Sequence, residues 1–188
     1  MDAVFTLPYP ELIVGETLSY HFKKKNGFSV QIPLSRQQKG FDLLIYHRDS
    51  KKSAAIQVRA SRSYFEKPPV RSTTVRYNYS LWFKRFKEAR NQADFYILFG
   101  LYPKRDIVSA ALHRKRSPKS WWQHRMLLFS DEEMHKFIRQ IPKNGFFSFS
   151  FDHGDDKMTL TRGADEHVDY SNHTLLKKIN MLSTFLTQ

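Results

Sequence analysis

The run "DFYILFGLY", Asp94 to Tyr102, constrains this chain more than any other stretch. Behind its leading Asp there is no charged side chain, so neither a two-residue nor a 3.6-residue period sets aside a solvent face. Nine residues fall well short of the roughly 20 needed to cross a bilayer, and they match a strand covered on both faces. A central strand is expected here. Two shorter runs, "FDLLIY" (Phe41–Tyr46) and "AAIQVRA" (Ala54–Ala60), open in the same way and are joined by the turn-like "HRDSKKS".

The remaining patterns place elements around these strands. Leu12, Ile13, Leu18 and Phe22 recur near helical spacing and predict a helix from Pro10 to about Lys25, with Gly27 as its stop. "FSVQIPL" reads as a first strand, "SRSYFEKPPVRSTT" as a loop and "VRYNYSLWF" as a further strand. "KRFKEARNQA" fits a short helix or an extended connection equally, and "DIVSAALH" a weaker strand or a short helix. "HRKRSPKSWWQHR" is expected to be a basic, aromatic loop leading into "MLLFS". Ser130 and Glu133 have the spacing of a capping box at the head of "DEEMHKFIRQ". "FFSFSF" alternates strictly, which predicts a half-exposed strand. An acidic connection follows, with a short strand at "KMTLT". From Asn172, Leu175, Leu176, Ile179, Leu182, Phe185 and Leu186 make an amphipathic closing helix. This order predicts an α/β fold, with α+β as the alternative: a mixed sheet flanked by helices, in one domain over residues 1–188.

Composition bounds the function. With 40% hydrophobic and 15% aromatic residues the chain folds rather than staying disordered. The amino terminus lacks a basic segment followed by an apolar one, so an intracellular, cytoplasmic protein is expected and no membrane partner. There is no Cys, which removes disulfides and thiolate metal sites. The formal net charge is +13, and it is unevenly spread. Residues 1–58 carry 8 basic and 5 acidic side chains, residues 59–125 carry 16 and 4, and residues 126–188 carry 7 and 9. A middle third with a net +12 points to a polyanion, because each phosphate neutralised by Lys or Arg releases condensed counterions. Nucleic acid is the expected partner, above all double-stranded DNA. An anionic membrane, an acidic protein or a merely solvated basic surface are the alternatives.

Three polar residues interrupt the two short strand patterns. Asp42 heads the first, and Gln57 and Arg59 lie fifteen and seventeen positions later on one face of the second. Val58 between them turns its side chain to the core, while its carbonyl is placed to reach a cation. Phosphodiester hydrolysis needs an activated water and neutralisation of the charge that grows in the transition state. One or two Mg²⁺ ions held by carboxylate, amide and main-chain oxygens supply both. Taken singly, Asp42 reads as a turn cap, Gln57 and Arg59 as the exposed face of an edge strand, and Glu16 as a solvated helix residue.

Together, the stretch from "GETLSYHFKKKNGFSVQIPL" through "GFDLLIY" to "IQVRAS" resembles the PD-(D/E)XK nuclease superfamily, the restriction-endonuclease-like fold. That family's core is a helix carrying Glu, a strand with Asp, a short turn, and a strand with Asp, Glu or Gln two residues before Lys. Glu16 matches the helical acid, and "DFYILFGLY" resembles the later strand packed beside the site. The resemblance covers about residues 10–105, leaving 106–188 as basic and aromatic loops with a helical elaboration. It implies a metal-dependent DNA endonuclease with Asp42, Gln57 and Glu16 around Mg²⁺ or Mn²⁺, and Arg59 in the place of the family lysine. A homodimer would suit double-strand cleavage. Arg59 is the departure: a guanidinium is not deprotonated in a protein, and its planar fork holds phosphate oxygens. Either the site is active, with Arg59 or a nearby lysine such as Lys39 as the cation, or it serves a non-catalytic nucleic-acid-binding module. A protein partner with an acidic surface is a third reading.

The basic segments give a second constellation. Arg62, Arg71 and Arg76 accompany Tyr64, Phe65 and Tyr77, and Arg114, Lys115, Arg116, Lys119 and Arg125 surround Trp121 and Trp122. Such cations track phosphates, while rings stack on unpaired bases. There is no Gly-rich phosphate loop, no Gly-x-Ser-x-Gly elbow and no His-Glu-x-x-His pair. The histidines lack metal-ligand spacing and are expected at the surface.

Overall fold

A computed structural model describes residues 9–33, 40–63, 79–84, 92–103, 122–142, 145–152, 156–162 and 167–188. Helix α1 (Tyr9–His21) is followed by a 3₁₀ turn at Lys24–Asn26 and by Gly27, whose φ of 82° closes that turn. The helix thus stops short of Lys25, and Leu12 on it is 47% exposed while Val14, Gly15 and Leu18 are buried. Strands β1 (Phe28–Gln31), β2 (Leu43–His47) and β3 (Lys52–Arg62) form an antiparallel meander. β3 is longer than the apolar pattern predicts, because its second half pairs with β5 (Phe95–Pro103) rather than with β2. That second pairing is parallel, with Gln57 beside Tyr96 and Arg62 beside Leu101.

The five-stranded mixed sheet runs β1-β2-β3-β5-β6, with β6 (Trp122–Ser130) antiparallel to β5. β5 is an interior strand, next to the edge strand β6, and is buried over eight of its nine residues, as its composition demands. β6 corrects an expectation. Trp122 to Arg125 belong to a strand and not to a loop, because the ladder with β5 continues out to Pro103 opposite Trp122. The polar "WQHR" suits that end of β6, whose residues are exposed or half-exposed.

A second, four-stranded antiparallel sheet is made by β4 (Tyr79–Phe83), β7 (Phe147–Phe151), β8 (Thr159–Arg162) and β9 (Val168–Asp169). Helix α2 (Asp131–Gln140) carries the predicted capping box: Glu133 N–H donates to Ser130 Oγ at 3.3 Å and Ser130 N–H to Glu133 Oε2 at 2.9 Å. Helix α3 (Leu175–Thr187) closes the chain after a 3₁₀ turn at Ser171–His173. Three helices and two sheets among the described residues make an α+β arrangement. No described helix is long and apolar enough to cross a membrane.

Each face of the mixed sheet has its own cover. One face is aliphatic: Leu43, Ile45, Ile56, Ile97 and Leu128 pack beneath Val14 and Leu18 of α1 and Leu182 and Leu186 of α3. The other face presents Tyr96, Leu98, Tyr102 and Phe129 to the second sheet and to Met134 and Phe137 of α2. That layer is aromatic, with Phe137 meeting Phe147 at 4.9 Å and Tyr79 meeting Phe151 at 5.3 Å. Each such pair contributes about 0.5–1.5 kcal/mol beyond its area. A Cβ added to Gly100 would lie 2.1 Å from Leu81 Cδ1, so the second sheet closes directly onto β5 backbone.

The half-exposed reading of "FFSFSF" also needs correcting. All five residues of β7 are buried, the phenylalanines toward the mixed sheet and Ser148 and Ser150 away from it. The hydroxyls are satisfied within their own sheet: Ser150 Oγ lies 2.9 Å from Ser80 Oγ and 2.8 Å from Thr161 Oγ1. Alternation distinguishes two faces, but small paired hydroxyls allow both to be covered.

Candidate functional site

Asp42 stands one residue ahead of β2. Its N–H donates to the Ile56 carbonyl at 2.8 Å, and the Leu43–Ile56 pairing then sets it opposite Gln57. Cross-strand neighbours share a face, and Arg59, two residues further along β3, shares it as well. Asp42 Oδ2 accepts the Val58 N–H at 2.7 Å. The carboxylate therefore takes the place of the next rung where β2 is absent. Within a strand a residue's N–H and C=O point to the same side, so the Val58 carbonyl is turned toward Asp42 too.

The surroundings set the charge. Asp42 is half-buried, and that burial raises its pKa above the usual carboxylate value against the Val58 hydrogen bond and the positive charge of Arg59. Gln57 is only 7% exposed, and β3 is an interior strand and not an edge. Arg59 is exposed. Register thus sets Gln57 opposite Asp42, and the Arg59 charge is felt at the Asp42 carboxylate.

Glu16 stands on α1, which covers the opposite, aliphatic face of the sheet. It is exposed, and its negative charge is felt by His124 on β6, whose pKa is nonetheless lowered by burial. No group of three or more His, Asp or Glu side chains placed to hold a metal ion occurs among the described residues. The oxygen donors at Asp42 are one carboxylate, the Gln57 amide and the Val58 carbonyl. Such a set suits Mg²⁺, which keeps several waters and is commonly bound through one or two carboxylates plus substrate phosphate.

A second aspartate escaped the sequence reading. Asp94 precedes β5 as Asp42 precedes β2, and its Oδ2 accepts the Ala55 N–H at 2.7 Å from the other side of β3. The two preceding segments meet: a Cβ on Gly40, whose φ is 109°, would lie 3.1 Å from the Gln92 carbonyl oxygen. The signal was present in the sequence, since an Asp heads both apolar runs.

Of the basic and aromatic positions, Arg62, Trp122 and Arg125 are described. The Arg62 guanidinium lies 5.2 Å from the Trp122 ring centroid, and that of Arg125 lies 4.6 Å from the Phe151 ring. Arg71, Arg76, Arg114, Lys115, Arg116, Lys119, Trp121 and Lys39 fall outside the described residues. No family model matches the chain, and no curated protein matches it.

Proposed function

We propose that the chain binds nucleic acid and hydrolyses phosphodiester bonds, with a divalent cation bound at Asp42, on a core of restriction-endonuclease-like organisation. The observation that carries this reading is the half-buried Asp42 carboxylate with the Arg59 charge beside it and Gln57 set opposite by the β2–β3 register. The order of elements supports it: α1, the meander β1-β2-β3, then β5 parallel to β3. That is the order of helix, Asp strand, turn, Gln-x-Arg strand and flanking strand in the resemblance.

Asp42, the Gln57 amide and the Val58 carbonyl would hold the cation, and Glu16 stays outside this set. The bound cation would polarise a water and offset charge on the phosphoryl oxygens. Arg59, permanently charged, would grip a non-bridging phosphate oxygen and orient the scissile group, and the attacking water would lose its proton to bulk solvent. The Val58 N–H fixes the Asp42 carboxylate before substrate arrives. The basic middle third would supply the sequence-independent attraction to the phosphate backbone.

The reading is tested by incubating purified protein with supercoiled plasmid and Mg²⁺ or Mn²⁺. Nicking or linearisation that Asp42→Ala abolishes is the expected result; cleavage that persists in that variant removes Asp42 from the centre. A second reading, a nucleic-acid-binding module without catalysis, is favoured by one observation: the Asp42 carboxylate already has a structural task at Val58. Steeply salt-dependent DNA binding with no cleavage under either metal would select it.

A further inference from the structure

The first half of β6 lies away from Asp42, at the far edge of the mixed sheet, and carries two features close together along the strand. Trp122 is 36% exposed and has the guanidinium of exposed Arg62 5.2 Å from its ring centroid. Two residues on, about 7 Å along a strand, begins a cavity of about 330 Å³. His124, Arg125, Lys177, Thr17 and Tyr102 line it, together with Asp156. The guanidinium of Arg125 is steered by two rings, lying 4.6 Å from Phe151 and 6.0 Å from Tyr102.

We infer that this end of β6 holds an unpaired stretch of nucleic acid, one base stacked on the Trp122–Arg62 pair and a neighbouring phosphate held in the cavity by Arg125 and Lys177. A partly exposed ring held beside a guanidinium offers a flat π surface that any base can stack on, whereas a base inside a duplex is already stacked. The cavity's two permanent cations fit a phosphate, and Asp156 offers an acceptor to a sugar hydroxyl or a base amino group. The chain would therefore prefer substrates with a single-stranded end, gap or flap over intact duplex. This inference rests on the nucleic-acid reading but not on catalysis.

The test is fluorescence anisotropy on a labelled oligothymidylate and on a duplex of equal length, in EDTA so that nothing is cleaved, over a salt series. Trp122→Ala should weaken single-strand binding about fivefold or more, leave the slope of log K against log salt unchanged, and leave duplex binding nearly intact. Trp122→Phe should restore most of the loss. Lys177→Gln, at an exposed helical position, should lower the single-strand slope by about 0.7. Far-UV circular dichroism and the unfolding midpoint check that each variant is folded. Equal losses on single strand and duplex for Trp122→Ala, or no loss on either, would overturn the platform. Binding of neither nucleic acid by the wild-type chain would overturn both this inference and the nucleic-acid reading. Single-strand preference with no cleavage of plasmid would uphold the inference while removing the nuclease.

Discussion

The segments ahead of β2 and ahead of β5 do the same local work with opposite surroundings. Each ends in an aspartate whose Oδ2 accepts a β3 N–H at 2.7 Å, Asp42 from Val58 and Asp94 from Ala55. Asp42 has a guanidinium and a buried amide beside it. Asp94 is tied instead into the fold: its carbonyl accepts the N–H of Asp131, where α2 begins. From α2, Glu133 pairs with Lys178 of α3, and His173 Nδ1 lies 3.4 Å from that ammonium. A hydrogen bond to a strand is thus compatible with either a chemical or an architectural role, and the neighbours decide which.

The largest expected contrast is in cleavage. Asp42→Ala should reduce plasmid nicking by about 10²–10³-fold or more. Asp94→Ala should leave the rate within a few-fold and instead cost about 1–3 kcal/mol in urea unfolding, because a β3 N–H loses its acceptor. If both variants lose cleavage equally while folded, the contrast fails. Next comes the cation. Arg59→Ala should slow cleavage by about tenfold or more, and Arg59→Lys should retain or raise it, since an ammonium also serves as a positioned charge and can orient water. Metal-dependent rates of the three proteins at saturating Mg²⁺ decide this.

The two sides should also respond to pH with opposite signs. Burial raises the Asp42 pKa in the fold above 3.8, so the folded state binds that proton more tightly than the unfolded chain does. Its contribution is present in acid and is lost as pH rises through the folded value. At neutral pH the ionised carboxylate then costs stability, and Asp42→Asn should raise the unfolding midpoint slightly while abolishing cleavage. Burial and Lys178 lower the His173 pKa below 6.5, against the Leu128 carbonyl and Glu133. Its contribution is complete above 6.5 and is lost as pH falls through that value toward the folded one. His173→Gln should therefore flatten part of the stability loss on acidification, the smallest of these effects, measured by denaturant midpoints from pH 7.5 to 5.

Much of this was legible because it depends on local pattern. The unbroken apolarity of β5 announced a strand buried on both faces, and Ser130 and Glu133 announced their reciprocal cap. The spacing of Asp42, Gln57 and Arg59 was readable because strand pairing converts separation in sequence into a shared face. What was not legible depends on distant partners. Nothing local to "FFSFSF" says that Thr161 and Ser80 will satisfy its serines and let them be buried. Nothing local to "WQHR" says that Pro103 and Tyr102 offer it a ladder. For Asp94 only its place at the head of an apolar run is local; the Ala55 N–H that it accepts lies thirty-nine residues away in the chain.

The notch at Gly100 has a mechanical consequence. Leu81 reaches into the space where a side chain would stand, and Leu98 and Tyr102 rise on either side of it along β5. The two sheets are keyed at this point, so neither can shear past the other without lifting Leu81 over a buried neighbour. Any relative movement of the two layers must then first withdraw Leu81 from the notch, and even Gly100→Ala would jam the key.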